Sequence, residues 1–76
     1  MGNDTPVRVI DYYQVKYPAT TINAETSYAD IGLEGEDKVI SVMELESSFG
    51  ITPDPHDAKG IYTIGQVIVL IEEKLN

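Results

Sequence analysis

Gly35-Glu36-Asp37-Lys38-Val39-Ile40-Ser41-Val42-Met43-Glu44-Leu45-Glu46-Ser47-Ser48-Phe49 is the stretch on which the fold turns, and Gly50-Ile51 follows at once. Val39, Val42, Met43, Leu45 and Phe49 recur at the spacing of a helix that buries one face. Glu36 and Asp37 fall in its first turn, where negative charge meets the positive end of the aligned peptide dipoles and contributes ~0.3–1 kcal/mol each. Gly50 suits a left-handed residue just past the helix, and Ile51 can make the apolar contact that closes such an end. The spacing predicts a helix from Gly35 to Phe49.

Toward the C-terminus the punctuation continues. Asp54 can cap a short helical turn with Pro55 at its first position, Asp57 adds first-turn charge, and Gly60 stops it. Thr63-Ile64-Gly65-Gln66 has capping-box spacing, so a last helix runs through Val67, Ile68, Ile71 and Leu75. Val67 to Leu70 could pass as a buried strand, but the capping box before it and Glu72-Glu73-Lys74 after it favour a helix. Toward the N-terminus, Thr5 can cap and Pro6 fits the first helical position. Val7, Ile10, Tyr13 and Tyr17 form a helical stripe, ended by Pro18. Residues 18 to 33 read as a loop, long enough that Ile22, Tyr28 and Ile31 should anchor it against the helices. The expectation is an all-α domain spanning 1–76, a small four-helix bundle whose third helix is short.

Composition narrows the function. At 76 residues there is room for one core only. Thirteen acidic residues against five basic give a net charge of −8, so nucleic acid and anionic membranes should both be repelled. There is no cysteine, which excludes thiol catalysis and thiolate metal sites and fits a cytoplasmic protein. The longest apolar run, Val67 to Ile71, is far short of a membrane span, and Met1 to Thr5 does not read as a signal peptide. A monomer without membrane or nucleic-acid partners is expected.

Catalytic and metal chemistry find little support. If Asp30 opened a calcium loop, Gly32 and Lys38 would fall on ligand positions and Ser41 would replace the closing Glu, so the register fails and no metal is expected. His56, the one imidazole, sits beside Asp57 at an Asp-Pro helix start and reads as a surface residue without a nucleophile. No phosphate-binding or zinc-protease motif occurs. Tyr13, Tyr17 and Tyr28 read as core or half-buried rings whose hydroxyls reach water. The protein is not expected to be an enzyme.

The helix at 35–49 carries a second signal. Val42, Leu45 and Phe49 form one stripe, whereas Ile40 and Met43 turn toward an adjacent face. Glu34, Glu36, Asp37, Glu44 and Glu46 frame that face. An acid-framed apolar patch suits docking to a basic protein surface, because acidic patches steer association with basic partners. The residues expected to meet a partner are Glu34, Glu36, Asp37, Val39, Ile40, Met43, Glu44 and Glu46. The competing reading puts Ile40 and Met43 in the core and leaves the acids as a solvated exterior. An acidic decoy that mimics nucleic acid is a weaker option, since the acids cluster on one helix.

Asp30-Ile31-Gly32, Val39, Val42-Met43, Leu45-Glu46, Phe49-Gly50-Ile51 and Thr63-Ile64-Gly65-Gln66, in this order and without gaps from Asn23 to Leu75, resemble the acyl carrier protein family. The resemblance implies an up-and-down four-helix bundle with a short third helix. It also implies an Asp-Ser-Leu at the start of the second helix, whose serine takes a phosphopantetheine arm. Here those positions read Glu34-Gly35-Glu36, so Gly35 occupies the attachment position with no hydroxyl to esterify. Ser41, Ser47 and Ser48 lie about two to four turns further along. Glu36 stands where the leucine that helps modifying enzymes dock would be. The acids at 34, 36 and 37 would also repel a phosphate that a helix N-terminus otherwise favours. The expectation is therefore a family-like domain without a cofactor, similar to bacterial groups in which an acid-flanked glycine replaces the serine. The alternative is a carrier of fatty-acid or polyketide biosynthesis, holding phosphopantetheine at another residue or on a serine since replaced.

Overall fold

Val9 and Tyr13, one turn apart on helix α1 (Thr5–Lys16), are both fully buried and set the face this helix turns inward. The structure, a computed structural model, describes residues 4–76, so Met1-Gly2-Asn3 of the polar N-terminal stretch lie outside the described residues. Against α1 packs α3 (Ile64–Leu75), and α3 brings Ile64, Val67, Ile68 and Ile71, and α2 (Glu36–Ser48) Val42 and Leu45, into the same core. Each aliphatic side chain removed from water in this way stabilises the fold by roughly 1.5–3 kcal/mol before conformational entropy is counted. Two short 3₁₀ turns, Ala29–Ile31 and Pro55–Ala58, complete the helical content. Among the described residues there is no extended strand, only an isolated antiparallel bridge between Ser27 and Thr63. Among the described residues, no helix is long and apolar enough to cross a membrane.

The helix ends follow their residues. Past α2, Gly50 sits at φ 76°; its N–H donates to Ser47 O (3.0 Å) while Ile51 N–H donates to Glu46 O (2.8 Å). This paired arrangement satisfies the last carbonyls of the helix. At α3 both halves of the capping box form: Gln66 N–H donates to Thr63 Oγ1 (3.2 Å) and Thr63 N–H to Gln66 Oε1 (3.0 Å). Its two other unpaired N–H groups are met by the long loop, Ile64 donating to Thr26 O (2.9 Å) and Gly65 to Ala24 O (2.8 Å). The loop is thereby sewn across the start of α3. Ile22 and Tyr28 are buried beneath it and Ile31 packs half-buried at the edge.

Several expectations need correction. The expected short third helix is the four-residue 3₁₀ turn Pro55–Ala58, so the described residues form three α-helices and not four. Asp54 does cap that turn, accepting from His56 N–H at 2.9 Å. Helix α1 starts one residue earlier than the Thr5 cap implied. Asp4 is its N-cap, makes no side-chain capping bond, and leaves Thr5 buried in the first turn. Val7 is 60% exposed; Val9, two positions on, is the core residue. Leu75, expected on the buried stripe of α3, is exposed at its frayed last turn. Tyr13 and Tyr28 are core as expected, but their hydroxyls meet each other (2.8 Å) instead of water. Tyr13 Oη also lies 3.0 Å from Ser41 Oγ, which donates to Lys38 O. Burial raises the ionisation of both tyrosines above the usual phenol range, so the hydroxyl chain stays neutral and holds α1, α2 and the loop together.

Candidate functional site

Gly35 is the N-cap of α2 and adopts φ 62°, ψ −133°, a conformation that L residues rarely enter. With no side chain to accept the first-turn N–H groups, the helix start relies on charge, and Glu36 and Asp37 are exposed in that turn. Glu34 is exposed immediately before them. Lys38 turns the other way: its Nζ donates to Ile61 O at 2.7 Å and lies 5.1 Å from the Tyr62 ring centre. Tyr28, Gly35, Lys38, Ile61 and Tyr62 border a shallow cleft of about 180 Å³ beside the helix start. Among the described residues, no cluster of three or more His, Asp or Glu side chains is placed to hold a metal ion.

Further along α2 the acid-framed face separates into distinct parts. Ile40 is 48% exposed, Met43 and Val39 are half-buried, and Val39 packs against the core. Glu44 is exposed but held: Tyr12 donates its hydroxyl to the Glu44 carboxylate and Lys16 lies 3.7 Å from it. The Tyr12 bond, with help from Lys16, keeps Glu44 below the usual carboxylate range. Glu34, Glu36, Asp37 and Ile40 therefore form the free part of the face, with Glu44 at its border.

Glu46 does not belong to that face. Its side chain is 0% exposed, because it stands four residues after Val42 and three before Phe49, on the inward stripe. Its Oε1 accepts Asp54 N–H at 2.9 Å, whereas its Oε2 and Asp57 Oδ2, on the turn that Asp54 caps, are buried without a hydrogen-bond partner. Asp57 Oδ2 in turn lies 2.8 Å from Lys74 Nζ. Burial, reinforced by Asp57, pushes the Glu46 pKa up to about 7. Neighbouring Glu46 and Lys74 hold Asp57 below the usual range. This buried cluster escaped the sequence reading, although an acid at the i+4 position of a core valine was a signal for it. His56 is exposed, as expected, 3.3 Å from Asp54 Oδ1.

Comparison with known proteins gives this geometry a context. The chain is 40% identical over 55 residues to an acyl carrier protein of an Exiguobacterium species, a match covering 71% of this chain and 70% of that protein. The chain belongs to the acyl carrier protein family. Within the family, the Thermotoga maritima acyl carrier protein is 41% identical over 46 residues, covering 60% of this chain and 57% of the relative. The chloroplastic acyl carrier protein 2 of Arabidopsis thaliana is 42% identical over 57 residues, 75% of this chain but only 42% of that longer protein. No protein-family model matches the chain.

Proposed function

We propose that this member of the acyl carrier protein family is a cytoplasmic, monomeric docking module for a basic protein surface and takes no phosphopantetheine arm. The observation that carries the reading is the free face of α2: Glu34, Glu36 and Asp37 exposed around the exposed side chain of Ile40. Asp37, Ile40 and Glu44 lie three and four residues apart, so acid, apolar side chain and acid follow one another along one line of the helix. Charge there would steer a basic partner in, and Ile40 with Met43 would supply the apolar contact. Gly35, aligned by the ordered series from Asp30 to Ile51 with the family's attachment serine, offers no hydroxyl. The other serines of α2 are displaced from the helix start: Ser41 is buried in the hydroxyl chain, and Ser47, exposed, and Ser48, which donates its hydroxyl to Leu45 O, lie at the far end of α2. Family membership also argues against catalysis, since acyl carrier proteins present groups to enzymes instead of transforming them.

The test is an intact-mass measurement after incubation with a phosphopantetheinyl transferase and coenzyme A. The expected mass is unchanged. A gain of roughly 340 Da, the size of the covalent arm, would overturn the proposal. That gain is what the second reading requires, a carrier in fatty-acid or polyketide assembly, and the names of the relatives favour it.

A further inference from the structure

Glu46 is a carboxyl group with no access to water and an oxygen that meets no donor. Its Oε1 accepts Asp54 N–H, whereas Oε2 is buried and receives no N–H or O–H from any other described residue. Asp57 Oδ2 is buried as well; Lys74 Nζ lies 2.8 Å from it, but the pair is not aligned as a hydrogen bond. Both unpartnered oxygens belong to the contact between α2 and the Pro55–Ala58 turn, where Glu46 accepts Asp54 N–H and Asp57 follows three residues on. Carboxylate oxygens only accept, so two buried carboxyls on these neighbouring elements can satisfy each other only through a hydrogen of their own.

We propose that Glu46 and Asp57 hold one proton between them, and that this proton latches the Pro55–Ala58 turn onto α2. With the proton in place, the site contains one negative charge, and Lys74 of α3 balances it. Without it, two buried negative charges share a single ammonium, an arrangement that desolvation makes costly. The titratable groups facing the pair are Glu46 from α2, Asp54, His56 and Asp57 from the turn and its cap, and Lys74 from α3. Lys74 and His56 favour the ionised form of Asp57, which leaves the proton on Glu46. Loss of that proton sets the pair against each other and weakens the hold of the turn on α2, which the Asp54–Glu46 bond and the buried Ala58 also maintain.

The sign of the pH effect follows. Between the ordinary Glu value of 4.5 and about 7, the folded chain keeps a proton that the unfolded chain has lost. Stability therefore falls as pH rises through this window and levels off above it. Glu44 and Asp57, both held below their usual range, act in the opposite direction and only at more acid pH.

The full chain, labelled with carbon-13 at its glutamate carboxyls, gives the direct measurement by nuclear magnetic resonance. Glu46 should titrate with a midpoint close to neutrality. The Asp54 amide, corrected for intrinsic exchange, should lose about tenfold of its protection against hydrogen exchange across the same range. Glu46→Gln keeps an acceptor for Asp54 and a donor for Asp57, so its Asp54 protection should stay flat with pH. A wild-type Glu46 midpoint in the ordinary carboxylate range, or a Glu46→Gln protein that keeps the pH dependence, would overturn the latch. Should Glu46→Gln fail to fold, Asp57→Asn decides: the Glu46 midpoint should drop by roughly a unit once its partner's charge is gone, and an unmoved midpoint refutes the shared proton.

Discussion

Replacing Gly35 by alanine isolates one term at the start of α2. The residue sits at φ 62°, ψ −133°, and a Cβ built on it meets nothing within 4 Å. Overpacking therefore contributes nothing, and the whole folded-state cost is that of forcing an L residue into sparsely populated backbone space, about 1–3 kcal/mol. Alanine also stiffens the unfolded chain, which returns about 0.4–1 kcal/mol. The expected net loss is about 1–2 kcal/mol, or a fall in Tm of roughly 4–16 °C for a domain of this size. Denaturant titration followed by circular dichroism measures it. Gly35→Ser sharpens the result, because serine is a strong N-cap worth ~1 kcal/mol, but only with the extended backbone that such a cap adopts. Thr63, capping α3, shows that geometry at φ −129°, ψ 161°. Serine outperforming alanine would show that residues 33–35 can reset to an ordinary cap. An alanine variant as stable as the parent would refute the reasoning, since the positive φ would then impose no requirement for glycine.

Two further outcomes follow from the charge and the buried hydroxyls. Tyr13→Phe removes the shared partner of Tyr28 Oη and Ser41 Oγ and strands the Tyr28 hydroxyl in the core; denaturant titration should show a loss of about 1–3 kcal/mol. With a net charge of −8, self-repulsion should weaken the fold at low ionic strength. Calorimetric Tm should therefore rise as added salt brings the screening length toward ~8 Å, and a flat Tm would contradict this.

The helix ends were legible because their chemistry lies in consecutive residues. Gly50-Ile51, Asp54-Pro55 and Thr63 with Gln66 act locally, and each forms the bonds its spacing implied. The inward face of α1 was not legible. Val7, Val9, Ile10, Tyr12, Tyr13 and Val15 distribute apolar side chains around most of that helix. Both Val7 with Ile10 and Val9 with Tyr13 obey helical spacing, and only packing against α3 chooses the latter. The loop at 18–33 was recognisable as anchored, but its role at α3 was not. The bonds from Ile64 and Gly65 go to backbone carbonyls, which every residue possesses and no side-chain pattern reveals.

The acids of α2 show why a count of charges overstates a docking surface. Glu36 and Asp37 are solvated and complement the helix dipole; Glu44 is bonded to Tyr12 and Lys16; Glu46 lies within the core. Only the first two, joined by Glu34, carry unengaged charge, and they sit at the end of the helix where Gly35 offers no capping side chain. A capping hydroxyl would have satisfied first-turn N–H groups locally. Without one, the acids take over that electrostatic role, and they do so from positions that face outward. The same acids thus complement the helix start and concentrate negative charge beside Ile40. If that coupling holds, neutralising Glu36 and Asp37 together would cost stability and partner affinity at once, whereas neutralising the buried Glu46 would alter the pH dependence of the fold and leave the docking charge intact.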